Sequence, residues 1–396
     1  MGEWKRVKLG EVADLCLGKM LDAKKNKGEL RPYLNNVAVR WGGFDLNDLP
    51  EMRFEESEFE RYSTRRNDII ACEGGEPGRC AIWESDEPIF LQKALHRIRV
   101  HDGCNPRFVY YQFCHLVKSG ATQHLETGST IRHLPGQAIR EVELQLPDLP
   151  TQRRIAAVLG ALDDKIEVNR KICENLEAQA QALFKAWFVD FEPFGGKRPE
   201  GWKMGKLGNV GDCNPYRKLE KGVEATCVEM ADLVTNGSFP SGCSTRVYNG
   251  GMKFTNGDTI IARITPCFEN GKATFVNFLK EGEVAFGSTE YVVIASKSAA
   301  PSGMFYSLVK TPDFLTYAKS RMVGSSGRQR FSASDVAEYP MVIATNDAYE
   351  KLAPVYDFLM SKIAQCGRES RALAAMRDAL LPRLMSGELA VEKLEG

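Results

Sequence analysis

Residues 151–188 read TQRRIAAVLGALDDKIEVNRKICENLEAQAQALFKAWF. The apolar positions Ile155, Leu159, Leu162, Ile166, Cys173, Leu176, Ala180, Leu183 and Trp187 alternate steps of four and three, with polar Asn169 in the remaining slot. That is the period of a coiled-coil seam. Pro150 and Thr151 supply a start, and Pro193, Gly195, Gly196 and Pro199 a stop, so the spacing predicts one helix of nearly forty residues. At 1.5 Å per residue such a helix is roughly 58 Å long, more than one small domain can bury. It needs a partner helix.

The chain supplies one. The ladder returns as Leu352, Tyr356, Leu359, Ile363, Cys366, Ser370, Leu373, Arg377, Leu380 and Leu384, each displaced by 197 from its counterpart, as Leu352 is from Ile155. Arg377 is its one charged member. Trp4-Lys5, Lys8-Leu9-Gly10 and Val12 likewise return as Trp202-Lys203, Lys206-Leu207-Gly208 and Val210, displaced by 198. The sequence is an internal duplication.

Ahead of each long helix lies a stretch with mixed signals. Asn67-Asp68-Ile69-Ile70-Ala71 and Gly257-Asp258-Thr259-Ile260-Ile261-Ala262 read as a turn feeding a buried strand. Strand-like alternation follows at Leu95 to Val100 and Tyr291 to Ile294, and Val142 to Leu146 leads into the first long helix. Short helices are expected at Phe108 to Val117 and Met304 to Val309, each shortly after a proline. The predicted fold class is therefore α+β: two mixed α/β domains in tandem pseudo-repeat, separated by two long helices forming an antiparallel coiled coil. The expected boundaries are 1–150, 151–196 (helix and linker), 197–345 and 346–396 (helix and tail).

At 396 residues and 43% hydrophobic composition the chain is long enough for two or three ordinary cores. No apolar run reaches eighteen residues and four of the first ten are charged, which reads as a soluble, cytoplasmic protein with no membrane segment. Eleven cysteines without a CxxC pair point to reduced thiols. The 52 basic and 52 acidic residues balance, so only local clustering can supply a surface for a polyanion.

Catalytic motifs fail one by one. Asn214-Pro215-Tyr216 resembles the Asn-Pro-Pro-aromatic signature of adenine methyltransferases, but it lacks the second proline and a glycine-rich cofactor loop. His101, Cys104, Cys114 and His115 have the chemistry of zinc ligands without a zinc-site spacing. There is no GxxxxGK[ST] loop, and Glu3-Trp4-Lys5 lacks the upstream acid that a nuclease requires. The expectation is no metal and no catalytic residue.

Two small polar loops repeat, Thr127-Gly128-Ser129-Thr130-Ile131-Arg132-His133 and Val323-Gly324-Ser325-Ser326-Gly327-Arg328-Gln329-Arg330. Glycines and hydroxyls leave N–H groups free, and the cations that follow suit phosphate; an ordinary surface turn is the alternative. The candidate nucleic-acid contacts are Lys24, Lys25, Arg65, Arg66, Arg132, His133, Arg217, Lys218, Arg328 and Arg330.

Taken together, Trp4-Lys5…Lys8-Leu9-Gly10-Glu11-Val12, Leu149-Pro150…Gln152…Ile155…Leu159…Leu162-Asp163…Lys165-Ile166…Asn169, Gly257-Asp258…Ala262-Arg263-Ile264-Thr265-Pro266 and the ending Leu380-Leu381-Pro382-Arg383-Leu384-Met385-Ser386-Gly387-Glu388-Leu389 resemble the DNA-specificity subunits of type I restriction–modification systems. The resemblance spans nearly the whole chain. It departs where the second helix opens with Thr345-Asn346-Asp347, and where Cys72-Glu73-Gly74-Gly75-Glu76 stands in place of Arg263-Ile264-Thr265-Pro266.

The resemblance implies two target-recognition domains, each reading one half of a bipartite asymmetric site in double-stranded DNA. It also implies helices that set the half-site spacing and dock two modification (methyltransferase) subunits, with restriction (translocase/nuclease) subunits as further partners. On this reading the chain is not an enzyme and holds no cofactor. S-adenosylmethionine, ATP and Mg2+ are expected to act through the other subunits. The alternatives are a self-sufficient DNA methyltransferase or nuclease, or a protein-only coiled-coil scaffold.

Overall fold

The computed structural model describes residues 4–22, 26–325 and 327–391; Glu3, Lys24, Lys25 and Ser326, named above, lie outside them. The chain divides into two compact units. One takes the chain up to Asp164 together with everything from Leu373, and the other takes Lys165–Ala372. The division cuts both long helices, Leu149–Phe188 and Asn346–Met385, so each unit keeps a segment of each.

In the first unit a four-stranded antiparallel sheet has the order Ala13–Leu17, Leu95–Val100, Ile69–Cys72, Cys80–Ile82. The strand Ile69–Cys72 is buried along its whole length, as its unbroken apolar run requires when both faces are covered. The helix Pro106–Lys118 packs on one face with its N-terminus capped, the Asn105 side chain accepting from the Phe108 N–H at 2.9 Å. Lys5–Lys8 pairs with Glu143–Leu146 and delivers the chain to the first long helix.

The second unit repeats the plan. The sheet order is Gly211–Cys213, Tyr291–Ser296, Thr259–Ala262, Ala273–Phe275, the helix Ser302–Val309 covers it, and Lys203–Lys206 pairs with Pro340–Ile343. A second four-stranded sheet there is built from Ser244–Val247, Glu224–Val228, Ala285–Gly287 and Lys253–Phe254.

The first long helix begins at Leu149, two residues earlier than the sequence signal at Thr151. The physical reason is Asp148, whose carboxylate accepts from the Thr151 N–H at 2.8 Å and so caps the first turn. The Thr151 side chain, and then this N–H bond, hold the Asp148 carboxyl below the usual range.

The seam residues differ in depth. In the first unit Ile155 and Leu159 are buried with Leu381 and Leu384, while Leu162, Leu373 and Leu380 are half-buried. In the second, Leu352, Tyr356, Leu359 and Ile363 are buried in one cluster with Met304, Phe305 and Val309 of the sheet-covering helix; Leu176 and Leu183 pack against it and Ile166 is half-buried. One stripe therefore serves both the partner helix and the adjoining globule. The helix segments of that unit run antiparallel: Asn169 meets Glu369, Cys173 meets Ile363, and the Tyr356 hydroxyl reaches the Ala180 carbonyl.

The polar interruptions of the ladder have partners. Asn169, 1% exposed, donates to Glu369 at 2.9 Å, and Lys165 lies 3.4 Å from the same carboxylate. Arg377 donates to Asp163 at 2.7 Å, and Asp163 also accepts from the Tyr111 hydroxyl at 2.6 Å. Buried polar groups of this kind fix register, because any slip strands a charge without its partner.

Candidate nucleic-acid interface

In each unit the strand that follows a buried aspartate runs out into a segment crossed by a hairpin. In the first, Thr127 and His133 exchange both backbone hydrogen bonds at 2.8 Å, and Leu134 N–H donates to the Glu73 carbonyl at 2.7 Å. In the second, Val323 and Arg330 exchange both at 2.9 Å, and Phe331 N–H donates to the Arg263 carbonyl. The polar loops singled out in the sequence thus share one backbone scaffold.

Their side chains differ. His133 lies across Gly74, where an added Cβ would come within 2.8 Å of the ring, and beneath it Glu73 meets His96 at 2.9 Å. Burial pushes the His96 imidazole below its ordinary value, against the pull of Glu73. At the tip Gly128 has φ 93°, and a Cβ there would lie 2.2 Å from the Ile131 carbonyl oxygen, so glycine is required. Arg132 is exposed, 3.6 Å from Glu126.

The second hairpin carries guanidinium groups instead. Arg330 Nε donates to both Glu290 oxygens at 2.8 and 2.9 Å, and Arg263 Nε reaches the same carboxylate at 3.2 Å. Two cations on one acid leave a net positive base to the hairpin. Arg328, exposed beside it, has no carboxylate partner among the described residues.

The remaining candidates are mostly tied internally. Arg65 pairs with Glu60, Arg66 holds Asp86 through two bonds at 2.6 and 2.8 Å, and Lys218 lies 3.5 Å from Glu220. Arg217 donates to Asp258 at 2.8 and 3.1 Å, matching the Arg99 pair with Asp68 at 2.8 and 2.7 Å in the first unit. Asp68 and Asp258 are 1% and 2% exposed, so these cations neutralise buried charge. Sequence reasoning did not single out Arg263, Glu73 or Glu290 as site residues; the repeat places Glu73 and Arg263 at the same point of the scaffold.

Asn214, the first residue of the tempting Asn-Pro-Tyr triplet, spends its amide on structure. Its Oδ1 accepts from the Val293 N–H at 2.9 Å and its own N–H donates to the Val293 carbonyl at 2.7 Å. Among the described residues no group of three or more His, Cys, Asp or Glu is placed to hold a metal ion, and no helix is long and apolar enough to cross a membrane. Cys114 of the considered zinc set instead faces Cys80, sulfur to sulfur, at 3.4 Å.

Comparison with known proteins agrees with this architecture. The family model for the type I restriction modification DNA specificity domain matches residues 1–178. The MjaIX specificity subunit of Methanocaldococcus jannaschii is 27% identical over 78% of this chain and 74% of its own length. The HindI specificity subunit of Haemophilus influenzae is 21% identical over 98% of this chain and 100% of its own. The chain is similar to type I DNA-specificity subunits over nearly its whole length. The crystal structure of the type I S subunit from M. genitalium, 17% identical, has the same fold, covering 96% of each chain at a TM-score of 0.55. In this chain the two hairpins are places where a repeated scaffold carries different side chains.

Proposed function

We propose that the chain is the DNA-reading, non-catalytic subunit of a type I restriction–modification complex. The globules at 1–150 and 197–345 each read one half of a bipartite asymmetric site, through surfaces that include the hairpins 127–133 and 323–330. The long helices set the half-site spacing and dock two modification subunits. S-adenosylmethionine, ATP and Mg2+ act through the modification and restriction subunits.

The observation that carries this reading is the pair of hairpins: identical backbone pairing on equivalent strand ends, with His133 over Gly74 in one and a Glu290-bridged arginine pair in the other. A repeated frame with divergent readers is what recognition of two unlike half-sequences requires. The test is methylation. The purified chain alone should transfer no methyl group from S-adenosylmethionine to DNA, and addition of the cognate modification subunits should produce methylation at a split site. Methyl transfer by the chain alone overturns the reading.

A further inference from the structure

The internal repeat points to another place on each globule. The displacement of 198 that aligns Trp4 with Trp202 places Lys19 opposite Arg217, just after the first strand of each four-stranded sheet. Both cations turn inward: Lys19, 4% exposed, bonds Glu58 and the Arg53 carbonyl, and Arg217 holds Asp258. The residues beside them turn outward. Met20 and Leu21 are 54% and 57% exposed in the first globule, and Tyr216 is 86% exposed in the second. Lysines follow in both, Lys24, Lys25 and Lys27 in one and Lys218 and Lys221 in the other.

Tyr216 is unusual for its type. Among the described residues only Tyr216 and Phe358 are exposed aromatic rings, and Phe358 is on a long helix. The backbone that carries Tyr216 is fixed on both sides. Asn214 is in the left-handed region at φ 58° and bonded twice to Val293, Pro215 limits the next torsion, and Arg217 is pinned to a buried carboxylate. The ring is therefore held in water by a rigid loop, and a ligand that takes it meets little ordering cost. Lys253 Nζ lies 5.4 Å from the ring centroid, within cation–π range, and Lys218 and Lys221 are exposed close by in sequence. An open aromatic face among lysines suits a polyanion that carries flat bases.

We infer that Tyr216, backed by Lys253, is a stacking contact for a DNA base, separate from the 323–330 hairpin. The inference rests on the DNA-reading function proposed above and names a residue and a mode of contact that the function does not require. A stack needs a base face that the duplex has released, so the favoured partner is DNA with an unpaired base.

The test uses the full chain and two oligonucleotide duplexes, one fully paired and one with 2-aminopurine opposite an abasic site, titrated at several salt concentrations. Wild-type protein should bind both and quench the 2-aminopurine. Tyr216→Ala and Tyr216→Leu should weaken binding of the abasic duplex roughly 5- to 150-fold and abolish quenching, with the salt slope unchanged, because no phosphate contact is lost. Tyr216→Phe and Tyr216→Trp should restore both. Unchanged affinity and quenching in Tyr216→Ala overturns the stacking contact while leaving the DNA-reading function intact. The same holds if DNA binding is unchanged but Tyr216→Ala weakens assembly with the modification subunits, which assigns the ring to a protein partner. Loss in Tyr216→Ala that Tyr216→Leu restores shows a merely apolar contact and also overturns it. Failure of the wild-type chain to bind either duplex removes the DNA-reading function and this inference together.

Discussion

The two hairpins are closed by the same pair of backbone bonds, yet one is seated by a ring on a glycine and the other by a carboxylate shared between two arginines. Duplication gave both halves one frame, and what differs is what the frame displays. The comparison separates two kinds of residue. The aspartates that anchor the frame, Asp68 and Asp258, recur in both halves, each held by an arginine, although Arg99 comes from a sheet strand and Arg217 from the loop after one. Those at the hairpin base, Glu73, His96 and His133 against Arg263, Glu290 and Arg330, do not match in chemistry although their backbones do.

The comparison is broken most sharply at a glycine. Gly128→Ala places a Cβ against the Ile131 carbonyl in a left-handed residue, at a cost above about 1 kcal/mol. In a complex with the modification subunits, methylome mapping should show loss of discrimination at one half-site only. Relaxation of both halves would mean the hairpins do not act separately.

A second, smaller effect comes from the acid that joins the arginines. Glu290→Gln should cost about 1–2 kcal/mol, since Arg330 and Arg263 lose a charged acceptor at a half-buried site. Chemical denaturation should show it, with the amides of 323–331 exchanging faster while those of 127–134 do not change. Equal acceleration in both hairpins would deny that each is seated locally.

Acidity sharpens the contrast. The His96 value is lowered by burial, so its neutral form favours the fold; that contribution is full above the ordinary value of 6.5 and is lost as pH falls through the lower folded value. Below about 6.5 the first hairpin should therefore lose amide protection before the second, whose base is formed by arginines and a carboxylate. His96→Gln should remove the difference. Simultaneous loss in the wild type would contradict the assignment.

Much of this was legible in the sequence, and the limits have a physical cause. The long helices announced themselves because a seam of four-and-three spacing is local, and the repeat at 197 doubled the signal. The strands Ile69–Cys72 and Thr259–Ala262 were readable for the same reason. Asn169 and Arg377 were visible only as interruptions. Their partners Glu369 and Asp163 are 200 and 214 residues away, a pairing that no local pattern encodes. Arg330 read as a cation for phosphate, whereas Glu290, 40 residues earlier, engages it; nothing in the spacing joins the two. Charge clusters gave composition without pairing, which is why Arg65, Arg66 and Arg217 appeared free and are bound to Glu60, Asp86 and Asp258.

That distinction yields the smallest predicted effect. Arg328→Ala removes a cation with no carboxylate partner among the described residues, so it should lower the salt slope of duplex binding by about 0.9 with no loss of thermal stability. Arg66→Ala, whose charge Asp86 already answers, should change the slope less. Equal slopes for both variants would show that internal pairing does not decide which arginines meet phosphate.

The central claim is that each globule reads its own half-site, and one measurement addresses it directly. Residues 197–345 are exchanged for the corresponding segment of a relative with a different target, the hybrid is expressed with the modification subunits, and methylated adenines are mapped across a genome. The account predicts that one half of the recognised sequence changes to the donor's while the other half and the spacer stay as they were. Change in both halves, or in neither, in a folded and active complex contradicts it.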